Sequence, residues 1–138
     1  MAALTKYQDF AEQLGLAQHN LNTDTFRVWL SNTAPTNTDT TFPGTATDLG
    51  TGNGYTAGGE DIQNTWSEAA GTATMVAVDV VWTASGGTIG PFRYASHYND
   101  TNATNMVGPG FYDYGSSITL QDGETFTVDY GASLITLA

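Results

Sequence analysis

The sequence predicts a mainly β domain: an antiparallel β-sandwich or barrel, jelly-roll-like, with a short N-terminal helix and one long loop. Three observations favour this class. The chain has 138 residues, which suits a single domain with one packed core. Several short runs of β-type composition are separated by turn residues. Helical patterns do not alternate with these runs, which argues against a parallel α/β sheet. We therefore treat residues 1–138 as one β domain.

The N-terminal segment 1–16 is expected to be helical. Apolar side chains recur there at the three-to-four spacing of one helix face: Leu4, Tyr7, Ala11 and Leu14. Gly15 follows this pattern, at the position where a glycine commonly ends a helix. The prediction is one short helix that begins near Leu4.

The segment 61–138 is the main β region, and an earlier run at 26–30 supplies the first strand. The run 72–83 predicts one continuous strand because Val76, Val78, Val80 and Trp82 alternate with the residues between them. Further strands are predicted at 62–66, 92–98, 111–114, 118–120, 125–130 and 134–137. An Asp-Gly pair at 122–123 predicts a hairpin between two of these runs.

Residues 31–59 form a long polar, glycine-rich segment without either hydrophobic period, so they predict a loop. Phe42, Leu49 and Tyr55 are its candidate anchors. A loop of this length either contacts something outside the domain or is disordered. Its glycine cluster lacks the lysine and the following hydroxyl of a phosphate-binding loop.

Charge and composition exclude several partners. Only 3 Lys and Arg residues face 14 Asp and Glu residues, which gives a formal net charge of -11. A surface of this sign repels nucleic-acid backbones and anionic lipids, so we expect no nucleic-acid or membrane partner. No apolar run approaches the ~20 residues that a membrane-spanning helix needs. The absence of cysteine removes disulfides and thiolate chemistry.

No pattern in the sequence predicts catalysis. His19 and His97 do not form a metal-binding motif with a second histidine or a carboxylate. One Asp/Asn-rich loop begins like an EF-hand calcium loop but lacks its glycine and its closing glutamate. An irregular calcium site at Asp113, Asp122 or Glu124 is the remaining alternative. We predict no enzyme activity, no metal site and no cofactor.

Eight short motifs, in this order, resemble small virion structural proteins of tailed bacteriophages. They are LTKY (4–7), SNTAP (31–35), NGYTAGG (53–59), VWTASGG (81–87), IGPFRY (89–94), YND (98–100), YDYG (112–115) and DGETFTV (122–128). The resemblance spans nearly the whole chain. Together with the small acidic β domain, it is closest to a capsid decoration, or cement, protein.

The resemblance implies a protein that is made in the bacterial host cytoplasm and then binds the exterior of the phage head. Its expected partner is the major capsid protein, and a homo-oligomer, by analogy a trimer, is expected. A tail, fibre or receptor-binding component of the virion is the alternative. Deletion of residues 1–16 is expected to abolish capsid binding and leave the β fold intact.

Eight side chains are candidates for a capsid or self-association interface. They are Tyr7, Phe10, Leu14, Trp29, Phe42, Tyr55, Trp66 and Tyr112. Aromatic residues are favoured anchors of protein interfaces. The competing interpretation is that these rings belong to the core, because the opposite sheet, the helix or the long loop can cover both faces of a strand.

Overall fold

A computed structural model describes residues 2–138 of the chain. It contains ten strands and one helix, which confirms the mainly β class and the short helix. In chain order they are β1 Leu4–Lys6, α1 Gln8–Gly15, β2 Phe26–Ser31, β3 Glu60–Asp61, β4 Thr65–Ala69, β5 Thr72–Val76, β6 Val80–Thr83, β7 Ile89–Asn99, β8 Val107–Leu120, β9 Thr125–Val128 and β10 Ile135–Leu137. Across residues 2–138, no helix is both long and apolar enough to cross a bilayer.

The strands form three antiparallel sheets in a β-sandwich-like arrangement. The largest has five strands in the order β1-β8-β7-β2-β3. A second has the order β10-β5-β4, and β6 pairs with β9 in a third. Each terminal part of the chain therefore supplies an edge strand: β1 has only β8 as a neighbour, and β10 has only β5.

One hydrophobic core joins all three sheets and the helix. It contains buried side chains from each of these elements, among them Phe10, Leu30, Met75, Trp82, Phe92 and Val128. A smaller cluster of Trp29, Ala46 and Tyr98, with Phe42 packed against it, lies apart from this core. Leu30 and Trp29 are consecutive in β2 and so point to opposite faces. Side chains cover both faces of the large sheet.

The N-terminal helix begins later than the sequence predicts. Leu4 lies in β1, where it pairs with Tyr112 of β8, and the helix begins at Gln8. It ends at Gly15, as predicted. Three residues of edge strand thus replace the expected first helical turn, because their backbone groups pair with β8 instead of forming helical hydrogen bonds.

The predicted strand at 72–83 is two strands in different sheets. Residues 77–79 separate β5 from β6, and the buried positions change phase across this break. Met75 and Ala77 are buried before it, whereas Val80 and Trp82 are buried after it. Val76 and Val78, which were expected to share a face with Trp82, are instead exposed.

Three further predictions about strands are wrong. The predicted strand at 62–66 does not form, because residues 62–64 separate β3 from β4. The runs 111–114 and 118–120 belong to one long strand, β8, which also takes in 107–110. The Asp-Gly turn forms, with the Glu124 amide donating to the Gln121 carbonyl over 2.9 Å, but it closes no hairpin. β8 pairs with β7 and β1, whereas β9 pairs with β6. The turn carries the chain from one sheet to another.

Candidate binding surface

An apolar groove of about 210 Å³ lies where the two ends of the chain meet. Its N-terminal side is formed by Leu4 and Lys6 of β1 together with Phe10, Ala11 and Leu14 of α1. Leu4 and Leu14 are half-buried, whereas Phe10 is only 5% exposed. The helix places Phe10, Ala11 and Leu14 on one side, because residues three or four positions apart share a helix face.

The opposite side of this groove comes from strands β4 and β10. Trp66 of β4 and the three residues of β10 line it, together with Pro109 of β8. Leu137 is 59% exposed, which is unusual for a leucine beside a hydrophobic core. The groove therefore combines a half-exposed tryptophan with aliphatic side chains from both ends of the chain.

The lysine that lines the groove differs from the two arginines of the domain in having no ion pair among residues 2–138. Arg27 pairs with Asp100 at 2.8 Å, and Arg93 pairs with Asp113 through two contacts of 2.8 and 3.1 Å. The hydrogen bond that Arg27 donates to Asp100 raises the pKa of Arg27, and the one that Arg93 donates to Asp113 lowers the pKa of Asp113. Lys6 is the only Lys or Arg of residues 2–138 without such an ion pair.

Five of the eight interface candidates are buried within the chain. Tyr7, Phe10, Trp29, Tyr55 and Tyr112 are each no more than 5% exposed. Tyr7 donates a hydrogen bond from its hydroxyl to Ser96 Oγ at 3.1 Å, and burial raises its pKa to about 12. These side chains pack within the fold. A partner can contact one of them only where it also lines a surface groove, as Phe10 does.

The other three candidates are partly exposed but do not form one surface. Leu14 and Trp66 line the groove. Phe42 lies elsewhere, stacked on Tyr98 with 4.2 Å between ring centroids and edge-on to Trp29 at 4.8 Å. The sequence thus identified two half-exposed members of the groove. It missed Leu4, Lys6 and β10, because nothing in the pattern indicates that the two chain ends meet.

The long loop packs onto the large sheet through polar contacts as well as through Phe42. The Tyr55 hydroxyl donates to Asp48 and accepts from the Leu30 amide at 3.0 Å. The other oxygen of Asp48 accepts from the Gly58 amide at 2.6 Å. Burial raises the pKa of both Asp48 and Tyr55. This network ties the loop to β2, an interior strand of the large sheet.

A second carboxylate organises the start of the same loop. Both oxygens of Asp39 are engaged by the backbone amides and hydroxyls of Thr36 and Thr45, over 2.9–3.1 Å. Asp39 is only 8% exposed. Four donors compensate the cost of burying this group, so its role is to shape the loop.

Both histidines are also structural. The Nδ1–H of His97 donates to the Gly110 carbonyl at 2.7 Å, and Nε2 accepts from the Tyr130 hydroxyl at 2.7 Å. Burial lowers the His97 pKa to about 4. His19 Nδ1 accepts from the Asn99 amide at 3.0 Å, and burial lowers the pKa of His19 as well.

The carboxylates that the sequence left open as a calcium site have separate partners. Asp113 pairs with Arg93, Asp122 accepts from the Gly86 amide at 2.9 Å, and Glu124 accepts from the Gln121 amide at 2.7 Å. Within residues 2–138, no group of three or more His, Cys, Asp or Glu side chains is arranged to hold a metal ion.

The groove is therefore the surface best suited to bind a partner. It is apolar, open to solvent and lined mostly by half-exposed or exposed side chains. The buried polar groups described above form hydrogen bonds within the fold, apart from His19 Nε2, which has no partner among residues 2–138. No protein-family model, curated protein or solved structure matches the chain.

Proposed function

We propose that this chain is a structural protein of a tailed bacteriophage that decorates the assembled head. It binds the outer surface of the shell and stabilises it, and its partner is the major capsid protein. The order of the eight motifs from LTKY to DGETFTV supports the phage assignment. The apolar groove between α1, β1, β4 and β10 is the observation that carries the binding role.

Other features of the chain agree with a role in binding. His97, Asp39 and Asp48 are all engaged in hydrogen bonds that hold strands or loop segments in place. The formal net charge is -11, so the chain would be repelled by DNA. A position on the outside of the shell is compatible with this charge, because the DNA lies on the inside. The long loop is held to the sheet by hydrogen bonds of Tyr55 and Asp48, and none of its residues lines the groove.

The proposed mechanism is stabilisation by linkage. A protein that binds the assembled shell, and not the separated subunits, shifts the equilibrium toward assembly by its binding free energy. Association of the chain into a homo-oligomer, which we propose to be a trimer by analogy, adds avidity when several groove sites engage one shell. Many copies of one weak contact are then enough to stabilise the shell.

The location of the protein in the particle tests this proposal. Particles of the parent phage are purified, heads are separated from tails, and the protein is quantified by mass spectrometry against the major capsid protein. A copy number that approaches that of the capsid protein, found with heads, supports decoration. A few copies found with tails would assign the chain to the tail or receptor-binding class, and absence from both fractions would overturn the virion assignment.

The structure changes how the N-terminal segment should be tested. Removal of residues 1–16 deletes β1 and the buried residues Tyr7 and Phe10, so a loss of binding would be confounded by loss of the core. Single substitutions of exposed groove residues separate the two effects.

A further inference from the structure

We propose that the groove takes up an extended segment of the partner, which adds as a strand to the free edge of β1 and presents a carboxylate to Lys6. The inference deepens the proposed function and rests on it only for the identity of the protein that supplies the segment. It specifies the chemistry of that segment: apolar side chains at alternate positions, with an acidic residue among them.

The backbone of β1 supports addition of a strand. The Tyr7 amide donates to the Pro109 carbonyl at 3.3 Å, so the peptide groups at this position face β8. The carbonyl oxygen of Thr5 also faces β8, since a Cβ placed on Gly110 would lie 2.3 Å from it. Peptide groups alternate in direction along an antiparallel strand. Those of Leu4 and Lys6 therefore point away from β8, where an added strand can pair with them.

The side chains around this edge suit a strand with one apolar face. Leu4 lies on β1 itself, and Leu14, Ile135 and Leu137 line the groove beside it. In a strand, every second side chain points to the same face. A segment paired with β1 thus directs alternate apolar side chains into the groove and leaves the others toward solvent. β10, which bounds the groove, is itself an edge strand of another sheet.

Charge selects an acidic segment. Lys6 lines the groove, and among residues 2–138 it is the one Lys or Arg side chain that has no carboxylate partner. The formal net charge of -11 means that an acidic segment is repelled by most of the surface. At the groove, a carboxylate instead meets a lysine that is free to pair with it.

The test uses the full-length chain and two short capped peptides in which valine and threonine alternate. One valine is replaced by glutamate in the first peptide and by lysine in the second, so that the charge lies on the face of the valines, as Lys6 shares a face with Leu4. Binding is followed by the backbone amide NMR signals. We expect the acidic peptide to shift the Leu4 and Lys6 amides, to slow their hydrogen exchange, and to bind more tightly than the basic peptide. The Lys6→Glu substitution is expected to reverse this preference, by roughly threefold for each peptide, as for an exposed ion pair.

A matched pair of variants isolates the backbone contribution. Lys6→Gln and Lys6→Pro both remove the charge, but only proline removes the outward-facing amide donor. Because that amide faces away from β8, proline leaves the β1–β8 hydrogen bonds in place. We expect Lys6→Pro to bind the acidic peptide several-fold more weakly than Lys6→Gln, with similar thermal unfolding midpoints for the two variants.

Equal binding by these two variants, or peptide shifts that avoid Leu4 and Lys6, would overturn the strand-addition mode. So would binding of a fatty acid such as laurate with no binding of either peptide, because an acyl chain needs no strand edge. A failure of the proposed function looks different. In that case the acidic peptide binds as expected, while phage heads lack the protein.

Discussion

His97 and Tyr130 share a hydrogen bond of 2.7 Å in the core, which joins β7 to the segment that follows β9. The two residues are 1% and 0% exposed. Because the Gly110 carbonyl can only accept, His97 Nδ1 carries the proton, and Nε2 accepts from the tyrosine. The neutral imidazole is therefore the form that fits this site.

The free energy of unfolding is expected to decrease as the pH is lowered through the mildly acidic range. The folded-state pKa of His97 is about 4 because of burial, whereas the unfolded value is about 6.5. The unfolded chain therefore binds more protons between these values, so its free energy drops relative to the folded state as the pH falls. Between pH 6.5 and 5, His97 alone lowers the free energy of unfolding by about 2 kcal/mol.

Urea unfolding across this pH range, with NMR titration of the histidine rings, checks this prediction. The lowered pKa of His19 adds to the effect in the same direction. A His97 ring signal that titrates near its ordinary value in the folded protein would contradict the prediction, whatever the unfolding curves show.

Tyr130→Phe is expected to destabilise the protein by about 1–3 kcal/mol, because it leaves His97 Nε2 buried without a donor. Tyr112→Phe is the matched control: its ring lies 6.2 Å from that of Tyr130, in the same part of the core. Within residues 2–138, the Tyr112 hydroxyl takes part in none of the side-chain hydrogen bonds. Urea denaturation of both variants at neutral pH measures the difference, and equal losses would show that the His97 contact contributes nothing.

Gly59→Ala is expected to destabilise the fold severely, with a loss greater than about 3 kcal/mol. Gly59 has φ +75, and a Cβ there would lie 1.8 Å from the carbonyl oxygen of Val28, a backbone atom in the interior strand β2. Gly71→Ala is the control, because Gly71 has φ +86 but no atom within 4 Å of the added Cβ. It bears only the conformational cost, about 1 kcal/mol. Thermal unfolding of both variants tests this, and similar losses would mean that close approach is not what requires glycine at 59.

The sequence predicted the strand content and the long loop because alternation and turn residues are local signals. It failed where pairing partners decide the outcome. Residues 72–83 alternate without interruption, yet the chain leaves one sheet and enters another near Asp79, whose carboxylate accepts from the Tyr130 amide at 2.9 Å. Similarly, the Asp-Gly turn forms, but Gly123 donates to Ala84 beside the β6–β9 pair, at 2.7 Å.

The same limit applies to the binding surface. Aromatic content suggested eight interface residues, but aromatic residues are as common in cores as at interfaces. Trp29 shows the difficulty. It lies on the face of β2 away from the main core, as an interface residue would, yet Phe42 from the long loop packs edge-on against it. Only contacts distant in sequence distinguish Trp29 from Trp66, which lines the groove.

The groove itself makes the last prediction, with two leucines as a matched pair. Leu137 and Leu16 are both 59% exposed, but only Leu137 lines the groove. Substituting either by glutamate adds the same charge and disturbs little buried surface, so both variants should fold. If the groove contacts the shell, Leu137→Glu loses apolar burial and places a charge in the interface, which weakens binding to heads by about tenfold or more.

Co-sedimentation with heads stripped of the protein measures this difference, at fixed salt because the domain is so acidic. Leu16→Glu is expected to bind as the unmodified chain does. Equal weakening by both substitutions would point to general charge repulsion by the shell and not to the groove. Undiminished binding of Leu137→Glu would place the contact elsewhere on the domain, because a buried unpaired carboxylate cannot be neutral for an apolar interface.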